Sequence, residues 1–179
     1  MLSAPLPPSP LVLVGFMGSG KTTVGRELAQ RLGWYFCDLD DRIEAAAGAS
    51  IASIFATRGE TAFRELEHRE LLQALGETRR RHTVLALGGG TFAQPLNQEP
   101  IRAGGACTVF LDVPVDELLL RCAGMSNRPL FRDEASFRAL HAQRVPFYRQ
   151  ATLTLAAGAT PPALLSERIL EQIQAVRPA

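Results

Sequence analysis

Lysine is almost missing from this 179-residue chain: of its nineteen basic side chains only Lys21 is a lysine, and the rest are arginines. Net charge is just as scarce. At +1 there is no general field for nucleic acid or an acidic membrane, so any anion must be recognised locally. Cysteines are few and odd in number. Cys37, Cys107 and Cys122 form no C-x-x-C pair, which excludes a disulfide framework and reads as buried or inert thiols in a reducing compartment. His68, His82 and His141 are scattered without metal-ligand spacing and read as surface residues. No apolar run approaches the length of a membrane span. Met1–Pro10 has four prolines and no basic residue, the pattern of a disordered tail rather than of a signal peptide. The expectation is one domain over residues 11–179, monomeric and cytoplasmic, with no nucleic-acid or membrane partner.

Against this background, one stretch organises the chain. Gly15-Phe16-Met17-Gly18-Ser19-Gly20-Lys21-Thr22 follows the apolar run Leu11–Val14 and precedes a helical pattern. That is a G-x-x-x-x-G-K-[ST] phosphate loop between strand and helix. Its glycines let successive backbone N–H groups turn inward toward phosphate oxygens, and the helix adds its positive end. Lys21 is expected at the β- and γ-phosphates and Thr22 at Mg²⁺. The lone lysine belongs here, because a compact ammonium fits a phosphate cage that a planar guanidinium does not.

Strand and helix signals alternate. Strands are expected at Leu11–Val14, Trp34–Cys37, Thr83–Leu87, Thr108–Asp112 and Leu153–Leu155. Helices are expected at Lys21–Leu32, Asp40–Ala47, Ile51–Thr57, Glu60–Leu75, Pro95–Ala103, Val115–Arg121, Glu134–Tyr148 and Ala163–Ala175. Near-continuous apolar strands separated by helices indicate an α/β fold, a parallel sheet covered on both faces. Gly33 marks a helix stop, Ser50 a helix cap, and Pro114 a first helical turn. Ligands of such sheets bind beyond the carboxyl ends of the strands. There lie the phosphate loop, Asp38 and Asp40, and Gly88-Gly89-Gly90. Asp112 also follows a strand, but with Pro114 nearby it reads as a turn residue that starts a helix. The segment around 123–133, with Gly124, Asn127, Pro129, Arg128 and Arg132, is a candidate lid.

Several residues carry two readings. Asp38 and Asp40 either serve Mg²⁺ and a substrate hydroxyl, or make a turn and a helix cap. Arg64 and Glu67, three apart on a helix, form either a rigid fork for a carboxylate or an exposed ion pair worth a few tenths of a kcal/mol. Three glycines in a row after a strand cost backbone entropy; they answer either to close approach of a substrate or to a tight turn. Arg128 on the lid suits charge stabilisation at a transferring phosphoryl group. Arg144 is an anion-binding candidate that is by default a solvated helix residue. Arg79-Arg80-Arg81-His82 satisfies a helix end rather than a nucleic acid. Phe55 and Phe63 are either core or pocket wall.

Taken together, Gly15–Thr23, Asp38-x-Asp40, Gly59-Glu60-x-x-Phe63-Arg64-x-x-Glu67, Gly88–Gly90, Arg128-Pro129-Leu130 and Arg144-x-x-x-Tyr148 resemble shikimate kinase over nearly the whole chain, about Leu11 to Ile173. The resemblance implies a three-layer P-loop kinase fold, with a five-stranded parallel sheet of order 2-3-1-4-5. It implies transfer of the γ-phosphoryl of ATP to the 3-hydroxyl of shikimate, with Mg²⁺, on the route to chorismate and the aromatic amino acids. By resemblance Asp40 binds substrate hydroxyls and is the base. Arg64 and Arg144 take the carboxylate, and Gly88, Gly89 and Gly90 line that pocket. Thr22 and Asp38 match the Mg²⁺ positions. Gly18, Ser19, Gly20, Lys21, Thr22, Thr23, Arg121, Arg128 and Pro162 match nucleotide positions, Arg121 and Pro162 beside adenine and Arg128 on the lid. Two other readings stand beside it: a phosphate-loop kinase for another small hydroxy acid such as gluconate, and a non-catalytic module sensing shikimate or nucleotide.

Overall fold

A computed structural model describes residues 8–123 and 133–176. Five strands, β1 (Leu11–Val14), β2 (Tyr35–Asp38), β3 (Thr83–Ala86), β4 (Cys107–Asp112) and β5 (Leu153–Ala156), form one sheet of order β2-β3-β1-β4-β5. All four pairings are parallel. The helices are α1 (Lys21–Leu32), α2 (Leu39–Ala47), α3 (Ile51–Glu77), α4 (Pro95–Ala103), α5 (Val115–Cys122), α6 (Glu134–Tyr148) and α7 (Pro162–Val176), with a 3₁₀ turn at Thr91–Ala93. The crossover from β1 to β2 runs toward one edge of the sheet, and the three later crossovers run toward the other. Right-handed connections then place α1, with α7 packed on it, on one face and α2–α6 on the opposite one. The result is a three-layer α/β fold with the sheet order expected, 2-3-1-4-5.

Burial follows from position in the sheet. Every residue of the inner strands β1 and β3 is buried, whereas the edge strand β5 alternates buried and exposed. Phe16, Phe92, Phe110, Phe137 and Tyr148 are the largest wholly buried side chains. At about 1.5–3 kcal/mol for each large side chain removed from water, this core supplies most of the folding drive. Cys107 and Cys122 are buried and Cys37 half-buried. Burial pushes the Cys37 and Cys107 thiols above their ordinary pKa, in keeping with inert thiols. Among the described residues no helix is long and apolar enough to cross a membrane.

The predicted caps form: Ser50 Oγ accepts from Ser53 N at 3.2 Å, and Gly33 closes α1 in the left-handed region. Pro114 stands as the N-cap of α5. The helices expected at Ile51–Thr57 and Glu60–Leu75 are both present within α3: they meet at a kink where Gly59, at φ 79° and ψ 174°, leaves helical geometry, a backbone that glycine adopts at little steric cost. Three expectations need correction. The disordered tail does not extend to Pro10: Ser9 Oγ accepts from Thr83 N, and the Pro10 carbonyl from Cys107 N. Asp112 is the last residue of β4, and its carbonyl accepts from Ala157 N rather than making a turn. His68 and His141 are half-buried, not surface residues. His141 packs edge-on to Phe16 at 5.2 Å, and burial lowers its pKa despite an opposing pull from Asp112. The arginine run ends α3 as expected: Arg81 pairs with Glu77 and lies 3.6 Å over the Tyr35 ring.

Candidate active site

The glycine loop leaves β1 and enters α1 with Gly15, Gly18 and Gly20 all at positive φ (149°, 77° and 91°). Only this backbone aims the loop's N–H groups at one point while Gly20 caps α1. Lys21 lies back across the loop, its Nζ 2.9 Å from the carbonyls of both Gly15 and Phe16. Gly18, Ser19, Gly20, Lys21, Thr22 and Thr23 line a cavity of about 410 Å³ that continues to Asp38, Arg121, Thr160 and Pro162. Arg121 is braced on three sides, by Glu117 Oε1 at 2.5 Å, the Gly158 carbonyl at 2.8 Å and the Gly18 carbonyl at 3.1 Å. It thereby ties the loop to the segment ahead of α7.

Asp38 serves two purposes at once. Its Oδ1 accepts from Asp40 N at 3.0 Å as the N-cap of α2, and its Oδ2 accepts from Thr22 Oγ1 at 2.7 Å. The cap is therefore Asp38, not Asp40. Asp40 sits in the first turn of α2, with its carboxylate turned toward Gly88.

A second cavity of about 380 Å³ opens beside the first, and the two share Met17, Asp40 and Gly89. Arg64 from α3 and Arg144 from α6 reach it from separate elements. Arg64 Nη1 donates to Glu67 Oε2 at 2.8 Å and Nη2 to Glu60 Oε1 at 3.2 Å. Glu67 is 1% exposed, so this is no surface ion pair. Arg144 is 7% exposed, against the default of a solvated helix residue, and its guanidinium lies 5.7 Å from the Phe16 ring centroid. Burial lowers its pKa, an effect opposed by Tyr148 and reinforced by Arg64. A buried cation facing another across an open cavity is a strong attraction for an anion.

The three glycines explain how these groups come so close. None has positive φ, so the turn that Thr91 N closes on the Gly88 carbonyl at 3.2 Å does not itself demand glycine; space does. A Cβ on Gly88 would lie 2.6 Å from Asp40 Oδ1. One on Gly90 would lie 2.8 and 2.9 Å from the Arg64 nitrogens Nη1 and Nη2, and 3.1 Å from Arg144 Nη2. On Gly89 it would press on Met17 N at 3.3 Å. Phe55 and Phe63, 4.6 Å apart, form part of the apolar wall; Phe63 is core and wall together.

The family model for shikimate kinase matches residues 17–174. The chain belongs to the shikimate kinase family. Two curated shikimate kinases show its depth. The protein from Synechococcus elongatus is 44% identical over 170 residues, covering 93% of this chain and 87% of the relative. That from Novosphingobium aromaticivorans is 42% identical, covering 92% and 86%. Among solved structures, shikimate kinase from Acinetobacter baumannii in complex with shikimate superposes with TM-score 0.89 at 37% identity, covering 98% of this chain and 97% of its own. A gluconokinase from Sinorhizobium meliloti, 18% identical with TM-score 0.64, shares the fold alone.

Within this shikimate kinase family member, the fold brings together Lys21, Thr22, Asp38, Asp40, Arg64, Gly88, Gly89, Gly90 and Arg144, with Arg121 and Pro162 at the far end of the loop-side cavity. Arg128, and with it the Arg128-Pro129-Leu130 part of the lid, lies outside the described residues. Sequence reasoning missed Met17, which floors both cavities, and Thr91, whose hydroxyl donates to Glu67 Oε1 at 2.7 Å. It also missed the Tyr148 hydroxyl, which donates to the Gly89 carbonyl. Nothing in the sequence marked Thr91, because its partner Glu67 lies 24 residues away.

Proposed function

We propose that the protein transfers the γ-phosphoryl of ATP to the 3-hydroxyl of shikimate, yielding shikimate 3-phosphate and ADP. The observation that carries this reading is convergence. Asp40, Arg64 and Arg144 come from three helices, meet around Gly88–Gly90, and face the glycine loop across a shared floor.

The nucleotide phosphates take the loop's N–H groups and Lys21, whose amine exchanges two carbonyls for phosphate oxygens. Arg121 and Pro162 flank the base. Thr22 and Asp38 offer a hydroxyl and a carboxylate 2.7 Å apart. Among the described residues no cluster of three or more His, Cys, Asp or Glu forms a metal cage. Such a sparse oxygen set fits Mg²⁺, which keeps waters and phosphate oxygens as its other ligands. Thr22 and Asp38 would hold Mg²⁺ there, and it would supply charge neutralisation for the transferring group. Arg64 and Arg144 take the acceptor carboxylate, which turns the hydroxyl-bearing ring toward Asp40. Asp40 accepts the hydroxyl proton as attack begins, and Arg128, from the lid, stabilises the phosphoryl charge. Phosphoryl transfer asks little of the protein beyond such positioning and charge. The protein acts as a monomer in the cytoplasm.

Initial rates of ADP release with shikimate and with gluconate test the acceptor. Turnover confined to shikimate is expected; a gluconate preference, or tight binding without turnover, would overturn the reading. Arg64→Ala should raise the KM for shikimate at least tenfold while leaving that for ATP within twofold, and equal effects on both would remove the carboxylate role.

A further inference from the structure

A buried polar chain runs from the acceptor cavity outward to α4. Arg64 Nη1 donates to Glu67 Oε2 at 2.8 Å, and Glu67 Oε1 accepts from the Thr91 hydroxyl at 2.7 Å. The Thr91 carbonyl accepts from Asn97 Nδ2 at 3.0 Å, and Asn97 Oδ1 meets His68 Nδ1 at 2.7 Å. Glu67, Thr91 and Asn97 are 1%, 0% and 2% exposed. With the Asn97 amide nitrogen committed to Thr91, its oxygen can only accept, so His68 Nδ1 carries the hydrogen and donates. Glu67 and His68 are adjacent on α3. That helix therefore grips the 3₁₀ turn twice, through the Thr91 side chain and, by way of Asn97, through the Thr91 backbone. Gln98 adds a parallel bond to the Phe92 carbonyl at 2.9 Å. Thr91 directly follows Gly90, the glycine that approaches both arginines, so what locates Thr91 also locates the floor of the carboxylate site.

Resting on the proposed carboxylate role of Arg64, we infer that His68 and Asn97 are positioning residues for acceptor binding. They fix Thr91, Thr91 fixes the Glu67 carboxylate, and Glu67 sets the plane of the Arg64 guanidinium. A bidentate fork tolerates little rotation, so loosening its support weakens anion capture without touching the nucleotide cavity.

The test compares His68→Ala, Asn97→Ala and His68→Asn with the wild type and with Arg64→Ala, in initial rates against each substrate and in thermal melts. Both single alanine variants should raise the shikimate KM about three- to tenfold, the effect of one lost hydrogen bond, with ATP KM and kcat within twofold. His68→Asn, which keeps a donor where Nδ1 stood, should restore the wild-type KM. A fall in melting temperature with unchanged shikimate KM in His68→Ala would overturn the inference, as would failure of His68→Asn to rescue; His68 is half-buried, so this variant remains informative should Asn97→Ala fail to fold. An unchanged shikimate KM in Arg64→Ala would instead sink the carboxylate reading itself.

Discussion

Gly90→Ala separates space from backbone strain at the acceptor site. Gly90 has φ −104° and ψ −16°, which alanine can adopt, so within the folded state the substitution adds one methyl group without demanding a left-handed backbone. That methyl would stand 2.8 and 2.9 Å from the Arg64 nitrogens and 3.1 Å from Arg144 Nη2, where ordinary contact begins at 3.4 Å. Both guanidiniums must retreat by a few tenths of an ångström, and Arg64 is already anchored to Glu67 and Glu60. Losing one hydrogen bond to a charged group costs about 1.5–3 kcal/mol. At about 1.4 kcal/mol per factor of ten, the shikimate KM should rise roughly 10- to 100-fold. ADP-coupled initial rates with each substrate varied in turn measure this. Gly88→Ala is the companion: its methyl meets Asp40 Oδ1 at 2.6 Å and should depress kcat instead. A shikimate KM within twofold of wild type in a folded Gly90→Ala protein would refute the steric account of the triple glycine.

Lys21→Met should lose about a hundredfold or more in kcat, as removal of a preorganised charge does. Lys21→Arg should fail as well, because the planar fork does not replace the ammonium; an undiminished rate in either would remove the loop from catalysis. For His141, the folded-state pKa lies below the ordinary 6.5 because burial disfavours the imidazolium. The unfolded chain therefore binds the proton more readily, and stability falls as pH is lowered through about 6.5. Melting temperatures between about pH 7 and 5 should decline more steeply for wild type than for His141→Gln; parallel curves would contradict this.

What could be read from the chain alone followed sequence distance. The glycine loop spans eight contiguous residues, and the apolar strands recur between helical patterns, so the sheet and its first ligand loop were legible. Asp40, Arg64 and Arg144 lie far apart in the chain, and no local periodicity joins them; they were reached through resemblance to a family. The triple glycine was noticed, but its cause was not, because the clash that excludes a Cβ involves side chains from three helices. Asp38 was visible as a turn or metal residue, yet its split between Thr22 and the start of α2 depends on where β2 ends in space. The break between the two helical runs was legible at Gly59, whose backbone leaves helical geometry there. The chain through Thr91, Asn97 and His68 was opaque for the same reason, since each bond closes a loop of 24 residues or more or turns on a backbone carbonyl.

The solitary lysine has a practical corollary. Apart from the N-terminal amine, the polypeptide offers amine-selective reagents a single primary amine, at Nζ between the carbonyls of Gly15 and Phe16. Amine-selective labelling followed by peptide mass mapping thus reports on one address in the whole molecule, and protection of that address by a ligand counts occupancy directly, without turnover.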